Sequence, residues 1–141
     1  MEPSRAAYDL IIRFEGFRDK AYKCPAGVLT IGYGHTGDVK ATDVVTKSKA
    51  LDLLTQDVNK LCVPCLKSLE LTQNQYDALC SFIYNVGPTK FNNSTMKKLL
   101  TVGKCDEASE QFNKWVKAKG KILKGLVLRR KAEKRLFLGI E

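Results

Sequence analysis

Residues 4–38 read SRAAYDLIIRFEGFRDKAYKCPAGVLTIGYGHTGD, and the rhythm of the sequence changes halfway through. Ala7, Leu10, Ile11 and Phe14 recur at i, i+3, i+4 and i+7, so residues 4–14 are expected to form a helix with one buried face. Gly16 stands just beyond, where glycine readily ends a helix. Residues 16–38 then carry five glycines, a Pro25-Ala26-Gly27 turn and the β-prone run Val28-Leu29-Thr30-Ile31. That composition predicts a small antiparallel sheet of two or three short strands.

From Thr46 the pattern reads as helical to the end. Leu51, Leu54, Val58 and Leu61 form one stripe of a connecting helix over about 46–62. Thr72 with Gln75 makes a capping box ahead of Tyr76, Leu79, Cys80 and Ile83, and Gly87-Pro88 stops that helix. Ser94 is expected to cap the next helix, with Met96, Leu99 and Leu100 inward, and Asp106 the one after, with Ala108, Phe112, Trp115 and Val116 inward. A last helix is expected from about Leu126 to Leu138. The fold class is therefore α+β in one domain spanning 1–141. A sheet lobe (about 16–45) faces a larger helical lobe (about 72–141 with the N-terminal helix) across a cleft.

At 141 residues and 44% hydrophobic content the chain can bury one core, and no apolar run approaches the roughly 18 residues of a membrane span. The start, Met1-Glu2-Pro3-Ser4, has neither the basic opening nor the apolar stretch of a signal peptide, which predicts a protein held in the compartment that makes it until released. The net charge is +9, and residues 111–141 hold ten Lys or Arg against two Glu. Such an end suits an anionic partner, or is simply a solvated helix face. No stacking-aromatic or helix-turn-helix pattern supports a nucleic-acid partner. Five cysteines preclude a closed disulfide framework within one chain, and Cys62-Val63-Pro64-Cys65 has no second CxxC to complete a zinc site. Ordinary buried thiols are expected.

The chemistry-bearing residues are Glu15, Cys24 and Thr30, spaced as Glu, eight residues, Cys, five residues, Thr. Glu15 ends the first helix between Phe14 and Phe17, and a carboxyl against aromatic rings loses hydration, which favours the protonated form a general acid needs.

Phe14-Glu15-Gly16-Phe17, Ala21-Tyr22 and Leu29-Thr30-Ile31-Gly32-Tyr33-Gly34-His35 closely resemble the phage lysozyme family, the T4-like muramidases and endolysins of glycoside hydrolase family 24. Leu71 to Leu79, Tyr84-Asn85-Val86-Gly87, and Gly125-Leu126 with Arg129-Arg130 and Glu133 resemble further motifs of that family in the same order, from about residue 8 to 138. The resemblance implies a lysozyme-like fold, no cofactor and no metal, and hydrolysis of the β-1,4 bond between N-acetylmuramic acid and N-acetylglucosamine in peptidoglycan. It assigns Glu15 as proton donor, Thr30 as a holder of the attacking water, and Gly34 and His35 to the cleft, His35 in a structural role. Tyr84, Asn85 and Ser94 fall where sugar is touched. Arg130 is the first candidate to orient Glu15, with Arg129 beside it as the alternative. Cys24 departs from the family's better-known aspartate, so it works either as a thiolate or only in shaping the pocket; Asp19 is a further carboxylate nearby, read as solvated. The implied partners are peptidoglycan and, through the basic C-terminal face, an anionic envelope, for a monomer without stable membrane insertion that waits in the host cytoplasm. A lytic transglycosylase and a non-catalytic cationic wall-binding protein are the rival readings.

Overall fold

The computed structural model describes residues 1–140. Helix α1 (Arg5–Glu15) buries Ala7, Leu10 and Ile11, and Gly16 closes it at φ +71° with its N–H on the Ile12 carbonyl. Its entry is fixed from afar: the Ser4 backbone N–H donates to Asp77 Oδ1 at 2.9 Å, and the Ser4 hydroxyl donates to Asp77 Oδ2. The sheet follows as β1 (Arg18–Lys23), β2 (Leu29–Gly32) and β3 (His35–Thr36), antiparallel in that order. Tyr22 sits opposite Thr30, and Ile31 opposite His35. Gly27 at φ +81° turns β1 into β2, while Gly34 at φ +85° turns β2 into β3.

Helix α2 (Lys47–Leu61) is capped by Thr46, which accepts from the Lys49 N–H at 3.1 Å, and it joins the sheet to the helical lobe. Its buried stripe is Ala50, Leu54 and Val58, with Leu61 at its edge. Leu51, expected inward, is 44% exposed, because Ala50 is the residue that packs under the sheet beside Gly32. A separate turn, α3 (Val63–Leu66), opens at Pro64, which favours a helix's first turn but would break its interior.

The core is built round α4 (Gln73–Val86), whose residues Tyr76 to Ile83 are all buried. A helix covered on every side needs neighbours all round it. They are α1, α2, the short helix α5 (Pro88–Asn92), the 3-10 turn Gln111–Lys114 through Phe112, and the last helix, here α8 (Lys124–Phe137), while α6 (Thr95–Thr101) and α7 (Cys105–Glu110) pack on each other and on α5 and α8. Phe82 of α4 meets Phe91, Phe112 and Trp115 edge-on, with ring centroids 5.3–6.2 Å apart. The capping box of Thr72 and Gln75 is present. Helix α7 begins after Lys104, so Asp106 lies in its first turn, where a carboxylate meets the positive end of the helix without being its cap.

The stretch before α8, expected to be helical, is instead a hairpin of β4 (Lys117–Ala118) and β5 (Lys121–Ile122). Lys119 and Gly120 both have positive φ, +51° and +78°, as a two-residue turn of the favoured hand requires. Cys24, Cys62, Cys65, Cys80 and Cys105 are all free thiols, three of them buried. Among the described residues no group of three or more His, Cys, Asp or Glu is placed to hold a metal, and no helix is long and apolar enough to cross a membrane.

Candidate active site

Glu15 comes to the cleft because it is the last residue of α1, where the buried stripe turns outward and the chain leaves for the sheet. Its side chain is 22% exposed. Arg129 Nη1 of α8 donates to Glu15 Oε2 at 2.6 Å. The other oxygen, Oε1, faces Gly34 so closely that a Cβ there would lie 2.8 Å from it, and 3.4 Å from the Tyr84 hydroxyl. Glycine is thus required at 34 for space as well as for its backbone.

These residues border a hollow of about 410 Å³ together with Thr36, Asp57, Lys60, Leu61 and Asn85. Two contacts tie its walls together. The Tyr84 hydroxyl donates to the Tyr33 carbonyl at 2.8 Å, joining α4 to the sheet, and His35 Nδ1 lies 2.7 Å from Asp57 Oδ2, joining β3 to α2. Burial, with the charges of Asp57 and Glu15 adding to it, pushes the Tyr84 phenol far up, so it stays a hydrogen-bond donor. A larger hollow, about 620 Å³ between α1 and α8, is walled mainly by aliphatic groups such as Leu10, Leu128 and Leu136 and touches none of the cleft residues. The smaller one holds the candidate residues Glu15, Gly34, Tyr84 and Asn85.

Cys24 and Thr30 lie together at the sheet's first turn, outside the lining of that hollow. The Thr30 side chain is buried and donates to the Val28 carbonyl at 3.0 Å. The Cys24 thiol is held below its ordinary value by backbone amides, those of Val28 and Ala26 first, with the Thr30 hydroxyl adding to them. A thiol lowered this way is a better thiolate than an ordinary one.

The structure corrects two expectations. Arg130 does not reach Glu15: it is 1% exposed, stacks over Phe82 at 4.9 Å, and pairs with Glu133 through Nε–Oε1 at 2.7 Å. One residue along a helix is a rotation of about 100°, so Arg129 and not Arg130 points at Glu15. Ser94 does not face sugar: it is buried, its hydroxyl donates to the Phe91 carbonyl at 2.6 Å and accepts from the Lys97 N–H at 3.1 Å, capping α6. The rings flanking Glu15 also do less than expected. The Arg13 and Arg129 guanidinium groups lie over Phe14, and Phe17 packs on Tyr33, so the polar neighbours of the carboxyl are more telling than the rings. Asp57, Lys60 and Thr36 were not legible in the sequence, since each is a polar residue beside a stripe with no motif of its own.

Residues 12–133 match the Phage lysozyme family. The chain is 46% identical to an endolysin of Acyrthosiphon pisum secondary endosymbiont phage 1, covering 97% of this chain and 98% of that one. It is 44% identical to an endolysin of Bacillus phage B103, over 98% of this chain but only 54% of that longer protein. A crystal structure of the lysozyme of phage P22 superposes with a TM-score of 0.84 at 37% identity, covering 98% of this chain and 99% of that one. A cleft carboxyl held by an arginine from the last helix, in a fold and sequence shared this widely, makes the chain a member of the phage lysozyme family.

Proposed function

We propose that the protein hydrolyses the β-1,4 bond between N-acetylmuramic acid and N-acetylglucosamine in bacterial peptidoglycan, with Glu15 as proton donor. The observation that carries this is the Glu15 carboxyl, gripped on one oxygen by Arg129 and open to the cleft on the other beside Gly34. In the reaction the glycosidic C–O bond breaks, its electron pair goes to the leaving oxygen, and Glu15 delivers the proton. Water supplies the new oxygen at the anomeric carbon. With Cys24 as a thiolate and Thr30 holding the water, the water's proton passes to the Cys24 sulfur and the product is inverted, and in the alternative reading Cys24 only shapes the pocket. If the thiolate attacks carbon itself, a glycosyl-enzyme forms and water releases it with retention.

The exposed cations of the hairpin and α8, Lys117, Lys119, Lys121, Lys124, Lys131 and Arg135, draw the enzyme to anionic envelopes. Arg129 and Arg130 are buried and take no part in that face. The enzyme is further proposed to be a monomer that accumulates in the host cytoplasm and acts once released to the wall. The test is clearing of purified walls by wild type and by Glu15→Gln, which keeps the shape and removes the proton. General acid catalysis contributes about 10²–10⁴-fold, so the variant should lose at least 100-fold, and one retaining half the activity would exclude Glu15. Anhydro-muramic ends in place of reducing ends would identify a transglycosylase instead.

A further inference from the structure

Glu133 touches nothing in the cleft, yet it is fully buried with its carboxylate among two guanidinium groups, those of Arg129 (4% exposed) and Arg130 (1% exposed). Charges are taken that far from water only where close partners compensate them. The partners here do more than compensate. The Ser81 hydroxyl of α4 donates to Glu133 Oε2 at 2.6 Å, and Arg129 Nε donates to the same oxygen at 3.3 Å. Arg129 Nη2 donates to the Ser81 carbonyl at 3.2 Å, and its Nη1 reaches Glu15 Oε2. The Arg129 guanidinium is therefore fixed along three edges, two by Glu133 and Ser81 and the third by the acid. Arg130 Nε makes its ion pair with Glu133 Oε1 at a poor N–H angle, and Arg130 Nη1 has no hydrogen-bond partner among the described residues. Arg130 Nη2 also donates to Glu133 Oε2 at 3.1 Å, so Arg130 holds both oxygens of the carboxyl.

We propose that Glu133, set by Ser81, is a positioning residue for the acid: it orients the Arg129 guanidinium and shares its charge, so that Glu15 is aligned without being locked in its ionised form. Two guanidinium groups stand against one buried carboxylate, so the inner network carries one net positive charge toward Glu15. Without the charge of Glu133 it would carry two. Burial pushes the Glu133 carboxyl up from its ordinary value against the pull of Arg130 and Arg129, while its oxygens face guanidinium nitrogens at 2.7 and 3.3 Å, the geometry of a buried ion-pair network. The other charged or titratable groups round Glu15 are Tyr84 of α4, Asp57 and Lys60 of α2, His35 of β3 and Arg13 of α1, and none of them changes in the variants below.

This inference rests on Glu15 being the acid, so the experiment reads Glu15 directly as well as through activity. In Glu133→Gln the Glu15 carboxyl is followed by ¹³C NMR titration, and kcat and KM are measured against pH on a soluble glycan. The Glu15 titration midpoint and the alkaline limb of kcat/KM should both move to lower pH, because the variant removes a negative charge from the network that faces the acid. The value of kcat at the optimum should fall about tenfold or more with KM within twofold, because a misdirected partner harms the reaction more than sugar binding. A folded variant with an unmoved Glu15 titration and kcat within twofold of wild type would overturn the proposal. If Glu133→Gln does not fold, the double variant Arg130→Met with Glu133→Leu decides, since it removes one charge of each sign and replaces a buried pair by apolar volume. It should keep the pH limb and lose kcat, and wild-type kcat there would overturn the proposal. If wild type itself releases no sugar ends, the muramidase reading fails, and the Glu15 titration still tests the coupling.

Discussion

Gly34→Ala tests the packing of the acid. The added methyl would lie 2.8 Å from Glu15 Oε1 and 3.3 Å from its Cδ, where ordinary contact needs close to a further half ångström or more. The neighbour that must yield is the end of a side chain, but Arg129 holds its other oxygen at 2.6 Å, so the carboxyl can move only by leaving its partner. Backbone strain adds to this: at φ +85° an alanine costs about 1–2 kcal/mol in stability. Gly37 separates the two effects, because its φ is +92° and a Cβ there meets nothing within 4 Å. Gly37→Ala should lose a similar 1–2 kcal/mol by urea unfolding and keep its wall-clearing rate within about twofold. Gly34→Ala should lose comparable stability and about 100-fold in rate, the cost of misplacing a catalytic group by about 1 Å. Equal rates for the two variants, measured where both are fully folded, would refute the claim that Gly34 is kept small for Glu15.

Cys24→Ala should lose most of the activity and Cys24→Asp should keep or raise it near pH 6; near-equal rates for Cys24→Ala and wild type would remove the thiol from the mechanism. Replacing the exposed Lys117, Lys121 and Lys124 by Gln should flatten the fall of wall clearing with salt, since charges are screened within about 8 Å at 0.15 M, and an unchanged salt profile would reduce the basic face to a solvated surface. Burial pushes the Cys80 thiol up to about 12 and Cys62 higher still, while in the unfolded chain such thiols lose their protons near pH 9. The folded state then binds more protons from pH 9 upward, so stability should fall with rising pH, by about 3 kcal/mol between pH 7.5 and 10. Urea midpoints at the two pH values check this, and a Cys62→Ala/Cys80→Ala variant with an undiminished pH dependence would refute it.

The elements with strong periodicity were legible in the sequence: α1 from its i, i+3, i+4 stripe, α4 from its capping box, and the sheet from its glycines and β-prone run. The β4–β5 hairpin was not, because two-residue strands have no period and Lys119 is a poor advertisement for a left-handed turn. Leu51 was misplaced because a stripe of large residues hid Ala50, whose small size lets α2 approach the sheet. At the site, Glu15 and Gly34 could be named from local motifs, whereas choosing between Arg129 and Arg130 depends on the rotation of α8 against α4. Sequence does carry one clue to that rotation. Glu133 stands four residues after Arg129 and three after Arg130, on the face that carries Leu126 and Phe137 and opposite the exposed Lys131 and Arg135, and a carboxylate at both spacings on an apolar face is the pattern of a paired, buried network.

The acid's geometry is assembled from parts that are distant in the chain, and this has a consequence for how function depends on folding. Glu15 is placed by α1, but its partner Arg129 is 114 residues later, and the Tyr84 and Asp57 walls come from two further helices. Local structure can form α1 and the sheet early, because both are built from neighbouring residues. The carboxyl gains its orientation only when α8 docks on α4, for it is that docking which buries Glu133, sets Ser81 against it and aims Arg129 outward. The same contacts that complete the core, Phe137 on Phe112 and Arg130 on Phe82, therefore also complete the site. A weakened α8 contact would cost activity sooner than it costs fold, since about 1 Å at Glu15 matters to the reaction far more than it does to the packing of Phe82.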